Sequence, residues 1–252
     1  MEHQLLHSSA TKYDQDLGVL LSEYSNSEYK FNLWYILILL IPIIGIIIFL
    51  ILLINFLLSR YPSKTYQLYE NGFVVKNKKN RIVKTVMYDN IEFVVRKNTK
   101  IYMYGFYNVT RYEIALKNAA NKSLFSFYTK CRNEKELPEK NNWAVIFIND
   151  LEKSCGLYLI NRIKQVFNKE GLVRLKDEGI TIGKGYITDK NNFTFYNYDI
   201  SQYKHIEYSL FLYHKDYQEK MFKSQGHRVC LNLETNMILK LYVLRNMLGL
   251  NI

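Results

Sequence analysis

The most constraining feature of this sequence is an uncharged apolar run that begins at Leu33 and ends at Ile54. An α-helix needs about 20 apolar residues to cross the hydrocarbon layer of a bilayer, and this run is long enough. Aromatic residues near its two ends, Trp34 and Tyr61, match the interfacial positions that such rings favour. A buried helix of a globular core would normally carry a polar stripe, which this run lacks. The sequence therefore predicts a transmembrane helix over residues 33–59 and an integral membrane protein.

Charges on either side of the run predict its orientation. The N-terminal tail, residues 1–32, holds five Asp and Glu against two Lys, whereas seven Lys and Arg occur from 60 to 84. Because cytosolic flanks of membrane spans are rich in Lys and Arg, we expect the bulk of the chain in the cytosol and the tail outside. A cleavable signal peptide is disfavoured, since the tail is long and acidic. A re-entrant hairpin turning at Pro42–Gly45, which would leave both ends cytosolic, is the alternative.

Past Pro62 the pattern changes to short runs in which apolar and polar residues alternate, as in β-strands. The 22 Tyr and 14 Phe fit a β-rich structure. Strands are predicted at Gly72–Asn77, Arg81–Tyr88, Ile91–Lys97, Ile101–Tyr107, Val109–Lys117, Ser123–Tyr128, Gly179–Gly183, Asn192–Tyr198, His205–His214 and Arg228–Leu231. Helical spacing from Trp143 to Phe167 predicts a helix, with Gly156 as a candidate break and Gly171 as its stop. A closing helix is predicted from Glu234 to Leu248.

The two groups of strands repeat one order. The segment Tyr69–Val75 aligns with Lys176–Ile182, at a spacing near 107 residues, and Tyr88-Asp89 aligns with Tyr198-Asp199. Such a period indicates a duplicated domain rather than a solenoid. We therefore predict an α+β protein in which one transmembrane helix is followed by two units, residues 64–170 and 171–252. Each unit is expected to be an antiparallel sheet or barrel closed by a C-terminal helix.

These features resemble the pleckstrin-homology-like domains of bacteria, which share a strand of the form x-[Asp/Glu]-x-Gly-apolar, a later aromatic-Asp pair and one closing helix. Further residues resemble a family of unknown function whose members are membrane-anchored and carry tandem pleckstrin-homology-like domains; these residues are Leu17, Gly18, Leu21, Tyr24, Phe167, Gly171, Val173 and Gly179. The resemblance covers most of the chain from about residue 17. It implies a fold and supplies no catalytic residues. Where the family has Trp before the Asp, this chain has Tyr88 and Tyr198.

Motifs for catalysis and metal binding do not stand out. Gly179–Gly185 misses the P-loop spacing and lacks the Ser or Thr that would hold magnesium. His227 and Cys230 have no second pair of ligands nearby in the sequence, so we predict no zinc site. The sequence contains no Gly-x-Ser-x-Gly elbow and no His-Glu-x-x-His motif. We expect no enzyme activity, no metal and no cofactor.

Composition also bears on two further questions: whether the protein binds nucleic acid, and whether its compartment is reducing. A net charge of +11 would suit nucleic acid, but no recognition motif occurs and no nucleic acid partner is expected. The three cysteines, Cys131, Cys155 and Cys230, are odd in number and widely separated. They do not form a disulfide framework, which favours a reducing compartment.

The sharpest positive feature is a basic hairpin, which we define as residues 76–84. Its cations are Lys76, Lys78, Lys79, Arg81 and Lys84. In the predicted strand order this is the first hairpin loop of the first unit, where the resemblance to pleckstrin-homology domains implies binding of inositol phosphates. Cations near an anionic surface contribute about 1 kcal/mol each. The alternative is that cytosolic flanks of membrane spans are basic for topological reasons.

Two classes of function follow. The first, which we favour, is a non-enzymatic interaction module, an accessory or regulatory subunit of a membrane complex that binds a partner protein through its Tyr and Phe side chains. The second is sensing of anionic lipids, with inositol-phosphate-like headgroups, through the basic hairpin. An enzyme with an unfamiliar site is third. Salt separates the first two, because attraction to a charged lipid weakens with salt and a hydrophobic interface does not.

Overall fold

The computed structural model describes residues 16–25, 64–103, 106–131, 142–218 and 226–251. The chain divides into two compact units, Met1–Val86 and Met87–Ile252. The domain boundaries expected from the sequence repeat, 64–170 and 171–252, are a different division of the chain and stay a prediction.

The described part of the first unit is a sheet of four strands in sequence order: β1 Leu20–Ser25, β2 Thr65–Tyr69, β3 Gly72–Lys76 and β4 Ile82–Met87, whose last residue opens the second unit. The central strands β2 and β3 are almost wholly buried, with Leu68, Phe73 and Val74 in the core. The outer strand β1 is mostly exposed, and so is the first half of β4.

The pairing of β1 with β2 decides the topology of the chain around the apolar run. β1 precedes that run and β2 follows it, and the two strands are antiparallel with Ser25 opposite Thr65. Two strands that share backbone hydrogen bonds lie in one compartment. The prediction of a single pass, with the tail 1–32 on one side and the bulk on the other, is therefore wrong.

The predicted transmembrane helix, residues 33–59, lies outside the described residues. Within the described ranges, neither of the two α-helices combines the length and the apolar character that a membrane span requires. On this finding the structure contradicts the expected transmembrane helix, and with it the expectation of a single-pass, integral membrane protein.

After Met87 the second unit continues with a 3-10 turn, Tyr88–Asn90, and a three-stranded antiparallel sheet of β5 Phe93–Met103, β6 Phe106–Lys117 and β7 Ser123–Cys131. The long helix α1, Trp143–Glu170, packs on this sheet. Its Phe147 ring lies edge-on to Phe127, with ring centroids 5.1 Å apart. Gly171 ends α1 in the left-handed conformation, at φ 71°, and its N–H donates to the Phe167 carbonyl.

The chain continues into a four-stranded antiparallel sheet and then a three-stranded one. The first contains β8 Leu172–Leu175, β9 Ile180–Gly183, β10 Tyr186–Thr188 and β11 Thr194–Tyr196. After a second 3-10 turn, Asn197–Asp199, the other contains β12 Ile200–Ile206, β13 Ser209–His214 and β14 Arg228–Asn232. Helix α2, Met237–Asn246, follows and contacts α1.

The element order thus passes twice through four strands, a 3-10 turn, three strands and a helix. The predicted fold class is nevertheless wrong in its architecture. The described strands form four separate sheets rather than one sheet or barrel in each unit, and the transmembrane helix is contradicted as stated above.

Candidate functional site

The strand β12 is the most exposed edge of the second unit. It is the outer strand of the sheet β12-β13-β14, and within the described part of the chain it pairs with β13 alone. None of its seven residues is buried, whereas Leu210 and Leu212 of the neighbouring β13 are at most 1% exposed. Large side chains project from it, since Tyr203 is 46% exposed and Ile206 is 44% exposed. An edge of this kind offers backbone N–H and C=O groups to another chain segment.

The corresponding strand of the other three-stranded sheet has its edge covered. β5 also follows a 3-10 turn and also lies at the outside of its sheet. Residues 234–236 lie along it: the Arg96 N–H donates to the Glu234 carbonyl at 2.7 Å, and the Asn236 N–H donates to the Val94 carbonyl at 2.8 Å. Val95 and Thr235 form an antiparallel bridge. A short segment of the chain therefore acts as an added strand on β5.

Asn236 holds that added segment in place. Its backbone is left-handed, at φ 52° and ψ 38°, and it is only 7% exposed. The side-chain amide accepts from the Val94 N–H at 2.8 Å and donates to the Glu92 carbonyl at 3.0 Å. The side chain thus continues the ladder of β5 by one further pair of hydrogen bonds, while the backbone turns into α2.

A row of tyrosines lies just before β12 in the chain. Tyr196 and Tyr198 stack with ring centroids 5.3 Å apart and planes at 7°, and Tyr186 lies 6.4 Å from Tyr196. Tyr196 is 45% exposed and Tyr198 is 73% exposed. Exposed tyrosines are favoured in protein interfaces because they add a large contact area with two rotatable bonds and a polar tip.

A histidine pair, which we define as His214 and His227, lies at the end of the sheet β12-β13-β14 where β12 begins, since His214 is opposite Ile200. Asp216 bridges them, with Oδ1 2.6 Å from Nδ1 of His214 and Oδ2 3.1 Å from Nδ1 of His227. The His227 ring also stacks on Phe193 at 3.6 Å. Hydrogen bonds from His227, and then from His214, lower the pKa of Asp216 to about 2 although partial burial acts against this.

A second carboxylate lies beside the histidine pair. Asp199 is buried at the end of the second 3-10 turn, and its Oδ1 is 2.6 Å from Nζ of Lys215. This hydrogen bond lowers the pKa of Asp199 and raises the pKa of Lys215. Within the described ranges, these His and Asp residues do not form a group of three that could hold a metal ion.

The basic hairpin joins β3 to β4, and one hairpin, between β2 and β3, precedes it. Asn77 shapes the turn, because its Oδ1 accepts from the N–H groups of Lys79 and Arg81, each at 3.0 Å. Asn80 completes it at φ 57°. Lys78, Lys79, Arg81 and Lys84 are exposed, and Lys76 is half-buried. The structure therefore places all five predicted cations on one hairpin and its two strands.

A cavity of about 300 Å³ lies between α1, β8 and α2. Its wall includes Glu92, Arg162 and Lys176, and the Glu92 carboxylate pairs with both cations: Arg162 Nη2 is 2.7 Å and Lys176 Nζ is 3.5 Å from it. One carboxylate shared by two cations links α1 to the residues next to β5 and β8, so we interpret these ion pairs as structural.

No protein-family model matches the sequence, and no curated protein matches it either. The resemblance to membrane-anchored proteins with tandem pleckstrin-homology-like domains therefore stays a prediction.

The sequence pattern did not predict β12 as a strand. It predicted a strand over His205–His214, which spans the turn between β12 and β13 at Glu207 and Tyr208. The turn at Glu207 has a positive φ of 51°. Gly or Asn at this position would have indicated a turn, but Glu does not, so the sequence carries no sign of it.

Proposed function

We propose that this chain is a non-enzymatic interaction module that binds an extended segment of a partner protein along the edge of β12. The observation that carries this proposal is the contrast between two corresponding strands. The edge of β5 accepts residues 234–236 as an added strand, whereas the edge of β12 is exposed along its length. A module of this kind is suited to serve as an accessory or regulatory subunit of a larger complex.

The physical basis is strand addition. An extended segment laid against β12 would gain backbone hydrogen bonds that do not depend on its sequence. Specificity would come from side chains that alternate along β12 and from the tyrosine row that precedes it. The exposed Tyr198 and Tyr203 are residues of the type that dominates the binding energy of protein interfaces.

Photo-crosslinking from β12 tests the proposal. A photoreactive amino acid is placed at Gln202 of the full-length chain in cells that express it naturally, and the matched control carries it at Gln165, an exposed position on α1. We expect a crosslinked product from position 202 and not from position 165, with the link mapping by mass spectrometry to one continuous segment of the product. The absence of a product from 202, or the same product from both positions, would contradict the proposal.

The exposure of the basic hairpin favours a second candidate function, attraction to anionic lipid headgroups. The substitutions K78Q, K79Q and R81Q together remove three cations from this hairpin. At about 1 kcal/mol for each cation near a charged surface, binding to phosphatidylserine vesicles should weaken roughly a hundredfold. The control K169Q/K184Q/K190Q removes the same charge from exposed positions elsewhere. Equal binding by the two triple variants would exclude the basic hairpin as the lipid site.

A further inference from the structure

A lysine and two carboxylates meet inside the second unit, where α2 contacts the turn between β8 and β9. Lys240 of α2 has no exposed surface, and the side chains of Asp177 and Glu178 in that turn are 17% and 14% exposed. The lysine Nζ lies 2.5 Å from Asp177 Oδ2, 2.5 Å from Glu178 Oε1 and 2.7 Å from the Asn232 carbonyl oxygen. An amine, a carboxyl group and a second carboxylate are therefore in contact, with little exposure to solvent.

We propose that Lys240 and Asp177 condense to an isopeptide bond, an amide between the two side chains, and that Glu178 moves the protons. The ion pair of Lys240 is the state before this reaction. The reaction needs neither an oxidant nor a reductant, and its second product is one molecule of water. The bond forms within one chain and does not depend on a partner at β12.

Contact between the reacting groups replaces the encounter that makes amide formation slow in water. Asp177 Cγ is bonded to the Oδ2 that lies 2.5 Å from Nζ, so the two atoms to be joined are already neighbours. Reacting groups held in this way behave as if their concentration were about 10⁵–10⁸ M. Burial also helps, because exclusion of water disfavours charged groups and the reaction passes through a neutral amine and a neutral acid.

The hydrogen bonds of Lys240 define the order of the proton transfers. The first proton passes from Nζ to Asp177 along their hydrogen bond, which leaves a neutral amine beside a carboxylic acid. The other two N–H groups stay bound to Glu178 and to the Asn232 carbonyl, so the new lone pair points at Asp177. The nitrogen then attacks Cγ, and the N–Cγ bond forms.

Glu178 completes the reaction as a general base and then a general acid. It takes a second proton from the nitrogen along its own hydrogen bond and gives that proton to the hydroxyl group on Cγ. The Cγ–O bond breaks, and the hydroxyl group leaves as water with both protons that the nitrogen has lost. Glu178 ends as a carboxylate again. The Asn232 N–H donates to the same Oε1 at 2.9 Å, which holds this carboxylate in place.

Intact-mass spectrometry of the full-length folded chain tests the proposal. Wild type should be one water lighter than the mass of K240R predicts after allowance for the changed residue, because arginine keeps the cation but offers no amine. E178Q keeps the shape of the glutamate side chain but cannot take the proton, so it should retain the full mass. The matched control E170Q makes the same change at an exposed residue of α1 and should lose water as wild type does. Full mass in wild type would overturn the proposal.

Trypsin digestion of wild type locates the bond. Trypsin does not cut at an acylated lysine, so residues 177–184 should be joined to residues 229–245 in one branched peptide. Loss of water from K240R as well as from wild type would show a dehydration elsewhere and would exclude the isopeptide bond. Fragment ions that place the branch at Glu178, or equal loss of water from E178Q and wild type, would overturn the roles of the two carboxyl groups.

Discussion

At the scale of single residues, Lys240 is unusual because it is a fully buried lysine. It lies on α2, has no exposed surface, and its ammonium group is saturated by three acceptors. Asp177 Oδ2 and Glu178 Oε1 each lie 2.5 Å from its Nζ, and the Asn232 carbonyl lies at 2.7 Å. Three acceptors match the three N–H donors of the ammonium group, so none of its donors is left without a partner.

We expect K240M to destabilise the protein by about 3 kcal/mol, because removing one partner of a buried pair leaves the other charges without compensation. Urea denaturation gives the free energy of unfolding. K169M, at an exposed position in the last turn of α1, is the control and should lie within about 0.5 kcal/mol of wild type. A loss under about 1 kcal/mol for K240M would show that the Lys240 contacts contribute little.

The hydrogen bonds of Asp216 to the histidine pair should make the stability of the protein depend on pH. Its pKa in the folded protein is about 2, against an ordinary value of 3.8, because both imidazoles hydrogen-bond to the ionised form. When folding lowers the pKa of a carboxyl group, its ionised form stabilises the folded protein at pH values above the unfolded pKa. This contribution is lost as the pH falls through the folded pKa. Wild type should therefore exceed D216N in stability at about pH 5, and the difference should shrink as the pH falls below 3.8, with most of it lost by about pH 2.

Thermal unfolding of both proteins between about pH 5 and pH 2 measures this difference. Because the other carboxylates are present in both proteins, their contributions to the pH dependence of stability cancel in the difference between wild type and D216N. A stability difference that stayed constant over the whole range would show that the imidazoles do not favour the ionised form of Asp216.

At the scale of elements, the contact between α1 and α2 depends on the missing side chain of Gly156. A Cβ at this position would lie 3.0 Å from both Cβ and Cγ2 of Ile238. Such contacts are closer than packed carbon atoms accept. The glycine in the interior of α1 therefore permits the close approach of α2, and it is not the helix break that its sequence position suggests.

G156A should destabilise the protein by about 1 kcal/mol, since overpacking outweighs the gain in helix propensity. In the background of I238A the same change should become neutral or stabilising, because the opposing methyl groups are gone. Chemical denaturation of the four proteins gives a double-mutant cycle, with an expected coupling of about 1–2 kcal/mol. Additive effects would show that Gly156 and Ile238 do not restrict each other.

At the scale of the whole molecule, the pairing of β1 with β2 brings the two ends of residues 26–64 together. Ser25 faces Thr65, and Glu23 faces Gln67, whose side-chain amide donates to the Glu23 carboxylate at 2.7 Å. β1 of the N-terminal tail and the strands β2 to β4 consequently belong to one sheet.

The double variant S25C/T65C, with C230S, should form an intramolecular disulfide, because directly opposed strand residues lie within its reach. Protease mapping with and without reductant identifies the bond. S25C/N71C, whose second cysteine lies at the other end of the same sheet, is the control and should give no such bond. If S25C/T65C stayed reduced while thiol reagents modified the two cysteines from opposite sides of a membrane, the single-pass topology would be restored.

Several elements could be predicted from the sequence because they have one buried face. β3, β6 and β14 alternate between core and solvent or are buried throughout, and α1 repeats its apolar side chains at helical spacing. The stop of α1 at Gly171 was also predicted correctly, since glycine adopts the left-handed conformation without strain.

Other features left no such pattern. β12 has no buried face, so period-two alternation could not mark it. The alignment of Tyr88 with Tyr198 does not extend to their surroundings, because Tyr88 is 1% exposed and Tyr198 is 73% exposed. Asn236 and Lys240 look like ordinary surface residues of a closing helix, and their burial depends on β5 and on the turn between β8 and β9.

The sequence by itself determined the kind of those elements that have a buried face, such as β3, β6, β14 and α1, because local spacing of apolar side chains decides which face can be buried. Tertiary structure decided which strands are neighbours and which edge stays open. Those depend on contacts between residues such as Ser25 and Thr65, or Val94 and Asn236, that lie far apart along the chain. A hydrogen bond between distant segments adds nothing to the local pattern of either one, so only the folded chain reveals it.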